Sequence, residues 1–345
     1  MPREYLRKFF AKEFYPTKSI DWYKNKGYIG ADAASKFNDF VASQKQKDGV
    51  FYKEFQELQL SRQFISSGSE LLDSVLITPE QSISYGKLGS GLFFILFQGR
   101  GEYYESRFRD MARLAQETGA SVMGFNPKGF NSSSGKTKIL ADIVDDGIAI
   151  VDFLLAQGIS NNQIILQGNS LGGAIIDMVD QHYRTNRGMR FRQINSNSFK
   201  NLASVIADHL NKPYLEFFCG VLLKFAKWEI IKSTDFYQTG PYRCYLRRYG
   251  DKTIKANAEY HSQIDHDKDY KNSPDAYKET NKWLNDHNQL VYTGKSTKNP
   301  HDMSLSLFKT KEKTGRQHSV YFVINRYLEA SNCVLQLKTS DPIRQ

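Results

Sequence analysis

The sequence predicts an α/β protein built on a doubly wound, mostly parallel sheet. From residue 70 onward, short apolar runs alternate with amphipathic stretches, the pattern of repeated strand–helix–strand units. Three such units are joined by short loops, and parallel neighbouring strands need crossover helices between them. Hydrophobic residues make up 40% of the 345, enough to fill a large core, which excludes a disordered or fibrous chain.

The first unit begins with the continuous apolar run 91–97, typical of a central strand buried on both faces. It ends in the turn Gln98-Gly99-Arg100-Gly101. An amphipathic helix should follow, with apolar residues at Tyr104, Phe108 and Met111, and should close at Thr118-Gly119. The remaining predicted elements are a helix over about 140–155, strands at 121–125, 163–167, 191–195, 242–249 and 289–292, and a final helix over about 319–330.

This pattern divides the chain into two parts. Residues 1–70 are polar and are expected to form an N-terminal helical appendage, and residues 71–345 the α/β domain. A mostly helical insertion at 199–238 should form a cap on that domain. It contains the apolar run 215–228, which either packs into the core or covers a binding cleft as a lid.

Charge and hydropathy limit the classes of partner. The net charge is +10, but basic and acidic residues are mixed along the chain, which disfavours nucleic-acid binding and leaves room for weak association with an anionic membrane surface. The three cysteines are too few and scattered for a disulfide framework or a zinc site. We expect no secretory signal and no transmembrane segment, and therefore a cytoplasmic protein or one delivered into a host cell without a Sec signal.

A candidate nucleophile follows the predicted strand 163–167. Gly168-Asn169-Ser170-Leu171-Gly172 has the G-x-S-x-G pattern between a strand and a helix. In such a nucleophile elbow the serine occupies a strained backbone position above the sheet, and the glycines Gly168 and Gly172 avoid clashes beside the turn. An ordinary glycine-rich turn is the alternative, and the strand–helix context disfavours it.

A serine nucleophile needs a histidine base and a carboxylate that orients the histidine. With the chain order serine, acid, histidine, His182 and His209 come too early. Asp251 directly follows the strand 242–249, which favours it over acidic residues in a polar loop. His301 follows the last predicted strand, and His318, near the terminal helix, is its rival. The disfavoured acids are Asp265, Asp267 and Asp269.

An oxyanion would need two backbone N–H donors. The residue after the nucleophile, Leu171, should supply one, and the loop after the strand 91–97 should supply the other, for which we expect the N–H of Arg100.

Through these motifs the chain resembles the α/β-hydrolase superfamily over about residues 70–335, with Gly250-Asp251 and Pro300-His301 at the acid and base positions. The segment 124–135 is similar to the Asn-x-x-Gly, Ser-x-Gly segment of lipase-like and esterase-like members. The polar, basic N-terminal region is similar to that of SidB-like hydrolase effectors, which intracellular bacterial pathogens inject into host cells. Many members have histidine at the position of Gln98. Because the oxyanion hole is formed by backbone N–H groups, this difference in side chain does not affect it.

Two other functions agree less well with the sequence. Gly129 to Thr137 resembles a phosphate-binding P-loop, but five residues separate its glycines where four are required, which disfavours an NTPase. A non-catalytic hydrolase-fold module could bind a lipid or a protein through the apolar insertion. The favoured prediction is a serine hydrolase that cleaves esters or thioesters of small-molecule or lipid acyl substrates, with no metal or organic cofactor implied.

Overall fold

The computed structural model describes residues 2–14, 58–80, 91–199, 201–230, 243–248, 281–285, 288–293, 309–311, 317–321 and 323–329. The strands are β1 (Leu58–Ser67), β2 (Glu70–Pro79), β3 (Phe93–Phe97), β4 (Ser121–Phe125), β5 (Ile164–Asn169), β6 (Arg192–Ser196), β7 (Arg243–Arg248), β8 (Asn281–Asn285), β9 (Asn288–Thr293), β10 (Lys309–Lys311) and β11 (Gln317–Ser319). The α-helices are α1 (Arg3–Phe14), α2 (Phe108–Thr118), α3 (Leu140–Ala156), α4 (Leu171–Arg187), α5 (Leu202–His209), α6 (Glu216–Ala226) and a C-terminal helix that includes residues 320–321 and 323–329.

Nine of the strands in the described part of the chain form one sheet, in the order β1-β2-β4-β3-β5-β6-β7-β9-β8. The six strands from β4 to β9 in that order pair in parallel. The antiparallel pairs are β1 with β2 and β2 with β4 at one edge, and β8 with β9 at the other. The prediction of a doubly wound, mostly parallel sheet is therefore confirmed.

Alternating residues of β3 show that both faces of the sheet are covered. Phe94 and Leu96 belong to one core cluster, together with residues of α2 and the C-terminal helix. Ile95 and Phe97 belong to the other, with residues of α1, α3, α4, α5 and α6. Successive side chains of a strand point to opposite faces, so a central strand buried on both sides must be apolar throughout.

The helix α2 ends where the sequence predicts, next to a glycine. The predicted strand 121–125 is β4, and the helix before it ends at Gly119, which adopts a left-handed conformation with φ of 75°. Its N–H donates to the carbonyl of Ala115 at 2.8 Å. Glycine adopts this conformation without steric cost and is the usual residue after a helix end.

The N-terminal region differs from the helical appendage expected for residues 1–70. The helix α1 lies in this range, but β1 is a strand of the main sheet and pairs over its full length with β2. The sequence does not show a clear alternation of apolar and polar residues over β1, because this edge strand carries additional polar residues such as Arg62. The Arg62 guanidinium pairs with the buried Asp73 of β2 at 2.7 Å. The sheet therefore begins at Leu58, before the boundary at residue 70.

Among the helices that the structure describes, none combines the length and the apolar character needed to cross a membrane.

Candidate functional site

Ser170 occupies the turn between β5 and α4, at the carboxyl end of a central parallel strand. Its backbone has φ of 52° and ψ of −116°, a conformation that non-glycine residues rarely adopt. The Ser170 N–H donates to the carbonyl of Ser196 in β6 at 2.9 Å, and its own carbonyl accepts from Gly173 at 3.1 Å. The strained turn is thus tied to the neighbouring strand and to the helix that follows.

Two glycines make this turn sterically possible. A Cβ on Gly168 would lie 2.5 Å from the backbone of Gly172 and Gly173. A Cβ on Gly172 would lie 2.0 Å from the carbonyl oxygen of Phe97, at the end of β3. Only glycine permits such an approach, so the first turn of α4 lies directly against the loop that follows β3.

That loop, residues 98–101, is held by a carboxylate that the sequence analysis missed. Glu102 Oε2 accepts a hydrogen bond from the Gly99 N–H at 2.8 Å, and the other carboxylate oxygen lies 3.5 Å from Arg107. Gly99 also lies close to Asn169, the residue before Ser170. The signal in the sequence is a carboxylate three residues after a glycine, the spacing at which a side chain can accept from a backbone N–H.

The Arg100 side chain extends away from the loop. Its guanidinium lies 3.4 Å from the carboxylate of Glu13 in α1, and both side chains are about half exposed. The proposed donor is the Arg100 backbone N–H, so this ion pair leaves that proposal unaffected. A small cavity of about 10 Å³, lined in part by Gln98, Glu102 and Gly172, lies beside the loop. It is about the size of one water molecule and too small for an acyl group.

The first turn of α4 is electrostatically suited to an anion. Leu171 is the first helical residue, so its N–H has no carbonyl partner within the helix. Aligned peptide dipoles give the N-terminus of this 17-residue helix a partial positive charge. Ser170 and Leu171 are both largely buried, which strengthens the interaction with a developing negative charge because water screens it less.

Asp251 and His301 lie outside the described residues. Asp251 follows the end of β7 by three residues in the sequence, and His301 follows the end of β9 by eight. Both strands run parallel to β5, with β6 between β5 and β7. His318, the rival base, lies in β11 opposite Thr310, directly before the C-terminal helix.

The Asn-x-x-Gly, Ser-x-Gly segment forms a buried connection between β2, β4 and the short 3₁₀ helix Tyr104–Arg107. The Asn126 side chain accepts from the Tyr104 N–H at 3.2 Å and donates to the Glu105 carboxylate at 3.0 Å. Ser133 Oγ donates to the Asn126 carbonyl at 2.7 Å and accepts from the Asp73 N–H at 2.8 Å. These residues fix the backbone beside the loop after β3.

Burial, and to a smaller extent the nearby charge of Asp73, together raise the pKa of Glu105 from its ordinary value of 4.5 to about 7. The hydrogen bond from Asn126 acts in the opposite direction because it stabilises the carboxylate. Glu105 thus titrates near neutral pH within the network that supports the candidate site.

The segment that resembles a P-loop makes a different set of contacts. The Asp142 carboxylate accepts from the Lys138 and Ile139 N–H groups at 2.7 and 2.9 Å, at the entry to α3. Thr137 Oγ1 donates to the carbonyl of Lys128 at 2.9 Å. A carboxylate already occupies the place where a P-loop would hold phosphate.

The insertion is neither wholly core nor wholly exposed. On its inner side Leu223, Ala226 and Trp228 are buried, and the Trp228 indole donates to the carbonyl of Lys138 at 3.3 Å. On its outer side Phe217 and Phe218 are 83% and 59% exposed. One face of α6 therefore packs on the domain, and the other faces solvent.

No protein-family model matches this chain, and no curated protein matches it in sequence. Among solved structures it is similar to an α/β-hydrolase from Vibrio vulnificus (15% identity, 60% of this chain and 71% of that chain, TM-score 0.44). It is also similar to esterases from Pyrococcus furiosus (14%, 59% and 75%, 0.42) and Pyrobaculum calidifontis (14%, 61% and 72%, 0.39).

Similarities this distant carry no weight by themselves, so the fold assignment rests on the chain's own topology. The parallel centre of the sheet, its antiparallel β2 and the strand–turn–helix after β5 are the defining features. Together they give this chain the α/β-hydrolase fold.

Proposed function

We propose that the protein is a serine acyl hydrolase that cleaves carboxylic esters or thioesters. The observation that carries the proposal is the backbone of Ser170, which is strained, placed between β5 and α4, and dependent on a glycine at 172. A strained conformation persists only where the surrounding structure enforces it, and such positions concentrate at functional sites.

In the proposed mechanism, Ser170 Oγ attacks the carbonyl carbon of the substrate while His301 takes the hydroxyl proton. Asp251 orients His301 and stabilises the imidazolium that forms. The tetrahedral intermediate carries its negative charge on the former carbonyl oxygen, which accepts from the Leu171 and Arg100 N–H groups. His301 then protonates the leaving alcohol or thiol. In the second half-reaction His301 takes a proton from a water that attacks the acyl carbon and returns it to Ser170 Oγ, which releases the carboxylic acid.

Strand order supports this triad. Adjacent strands of a sheet are about 4.8 Å apart, so the carboxyl ends of β5 and β7 are separated by roughly 10 Å. The two residues between β7 and Asp251, together with the two side chains, can span such a distance. The seven residues between β9 and His301 give the histidine a longer reach, which fits the position of β9 one strand farther from β5.

The non-catalytic module is the second candidate, because the exposed face of α6 is suited to binding. A fluorophosphonate probe distinguishes the two, since only an activated serine reacts with it. We expect wild-type protein to be labelled and to hydrolyse nitrophenyl esters.

The Ser170→Ala variant should lose the label and about 10⁴- to 10⁶-fold in turnover while keeping its melting temperature. The matched control is Ser160→Ala, which should behave as wild type. Ser160 is exposed and precedes β5, at the end of the strand opposite Ser170. Labelling or substantial turnover in purified Ser170→Ala protein would remove Ser170 as the nucleophile. Unlabelled, inactive wild-type protein would favour the binding module.

A further inference from the structure

Exposed apolar side chains are concentrated on one part of the surface. Of the ten large hydrophobic residues that are exposed in the described part of the chain, eight lie on α1 or between the end of α5 and the end of α6. The other two, Phe64 and Leu71, belong to β1 and β2. We use the name aromatic face for the surface formed by Tyr5, Phe9, Tyr214, Phe217, Phe218, Val221 and Phe225.

The residues that α6 contributes lie on a single stripe. Phe217, Phe218, Val221 and Phe225 are spaced at i, i+1, i+4 and i+8, which places them on one side of a helix. The opposite side carries Leu223, which is buried in the core. A helix that is apolar on both sides normally has both covered, so the outer side of α6 lacks a partner within the described structure.

The helix α1 extends this surface. Arg3 Nε donates to the Phe225 carbonyl at 2.8 Å, and the Arg3 guanidinium lies 5.4 Å from the centre of the Phe225 ring. Leu6 and Phe10 are buried in the same core cluster as Leu223. Tyr5 and Phe9 are 59% and 47% exposed on the outer side of α1. Two helices that are distant in sequence therefore present one aromatic surface.

Basic residues outnumber acidic ones in the two segments that carry the aromatic face. Residues 2–14 and 210–228 contain seven basic and three acidic side chains. The acidic ones have partners in the structure: Glu4 pairs with Lys8, Glu13 with Arg100, and Glu216 accepts from the Ser204 hydroxyl. The basic residues are Arg3, Arg7, Lys8, Lys12, Lys212, Lys224 and Lys227.

We propose that the aromatic face docks the protein onto an anionic lipid bilayer. Phenylalanine and tyrosine side chains enter the boundary between headgroups and acyl chains, while surrounding lysines attract anionic headgroups. Lysine is depleted from protein–protein interfaces, so its presence among the exposed aromatic residues favours lipid over a protein partner. The docking surface is independent of the catalytic assignment, because none of its residues belongs to the proposed triad or oxyanion site.

The test is co-sedimentation of full-length protein with vesicles of phosphatidylcholine, with and without phosphatidylserine. All proteins carry Ser170→Ala, so that turnover cannot alter the vesicles. We expect binding that requires phosphatidylserine and weakens at high salt. Phe217→Ser combined with Phe218→Ser should lower the partition coefficient at least about tenfold. Lys224→Gln should lower it about fivefold, because a lysine near the membrane surface contributes to binding.

Phe64→Ser is the matched control. Phe64 is 50% exposed, similar to Phe218, but lies on β1 against the Arg62 guanidinium. Its substitution should leave vesicle binding unchanged. Equal binding by the Phe217/Phe218 variant and by the parent Ser170→Ala protein would overturn the proposal. So would a parent protein that does not bind, or one that binds equally to vesicles without phosphatidylserine. A dimer that forms without lipid and is lost in the double variant would assign the aromatic face to a second copy of the chain instead.

Discussion

Gly172→Ala tests the contact that brings the candidate nucleophile and the loop after β3 together. In an exposed helix this substitution would stabilise the protein by up to about 1 kcal/mol, because alanine is the better helix former. Here the added Cβ would lie 2.0 Å from the Phe97 carbonyl oxygen and 2.7 Å from that of Gln98. Cβ atoms essentially never approach closer than 3.0 Å, so α4 and the end of β3 must separate by about 1 Å.

The cost of that separation exceeds the gain in helix propensity. Overpacking in a core costs about 1–3 kcal/mol when side chains can adjust, and both contacting atoms here belong to the backbone. We expect the free energy of unfolding to fall by at least about 3 kcal/mol. The proposed oxyanion donors of Leu171 and Arg100 lie on opposite sides of the contact, and a displacement of about 1 Å at a reacting centre can lower kcat/KM by about 10²-fold.

Urea denaturation and nitrophenyl ester hydrolysis measure the two effects. Gly220→Ala is the control, because Gly220 lies within α6 and its added Cβ would meet only the Cβ of Ala203, at 3.8 Å. That variant should be about 0.5–1 kcal/mol more stable than wild type and equally active. A Gly172→Ala protein with wild-type stability and activity would refute the close-contact explanation of this site.

Two further predictions concern titratable groups. His301→Ala should lower turnover about as much as Ser170→Ala, whereas His318→Ala should be nearly as active as wild type; the reverse result, in the same ester assay, would make His318 the base. The pKa of Glu105 is raised to about 7, so the folded state binds this proton more tightly than the unfolded chain and stability falls as the pH rises from about 4.5 through 7. Glu105→Gln should remove most of this dependence and be up to about 3 kcal/mol more stable than wild type at about pH 8; an unchanged stability–pH profile in urea denaturation would contradict the assignment.

The parallel centre of the sheet could be predicted because its signal is local. The run 91–97 is apolar at every position, so the sequence alone indicates a strand covered on both faces, and Phe94 and Ile95 do belong to opposite core clusters. The strand–turn–helix around Ser170 is equally local. The edge strand β1 was missed because polar residues on its exposed side mask the alternation, and its pairing with β2 depends on contacts such as that of Arg62 with Asp73.

The sequence by itself determined the fold class, the order of the central elements and the position of the candidate nucleophile. Each depends on residues adjacent in the chain, whose hydrophobic periodicity and glycine spacing limit the backbone conformation. Only the tertiary structure decided that Gly172 must lie against Phe97 and that α1 and α6 share one exposed surface. These contacts join elements far apart in sequence, and their distances depend on how whole helices and strands pack, which no local pattern encodes.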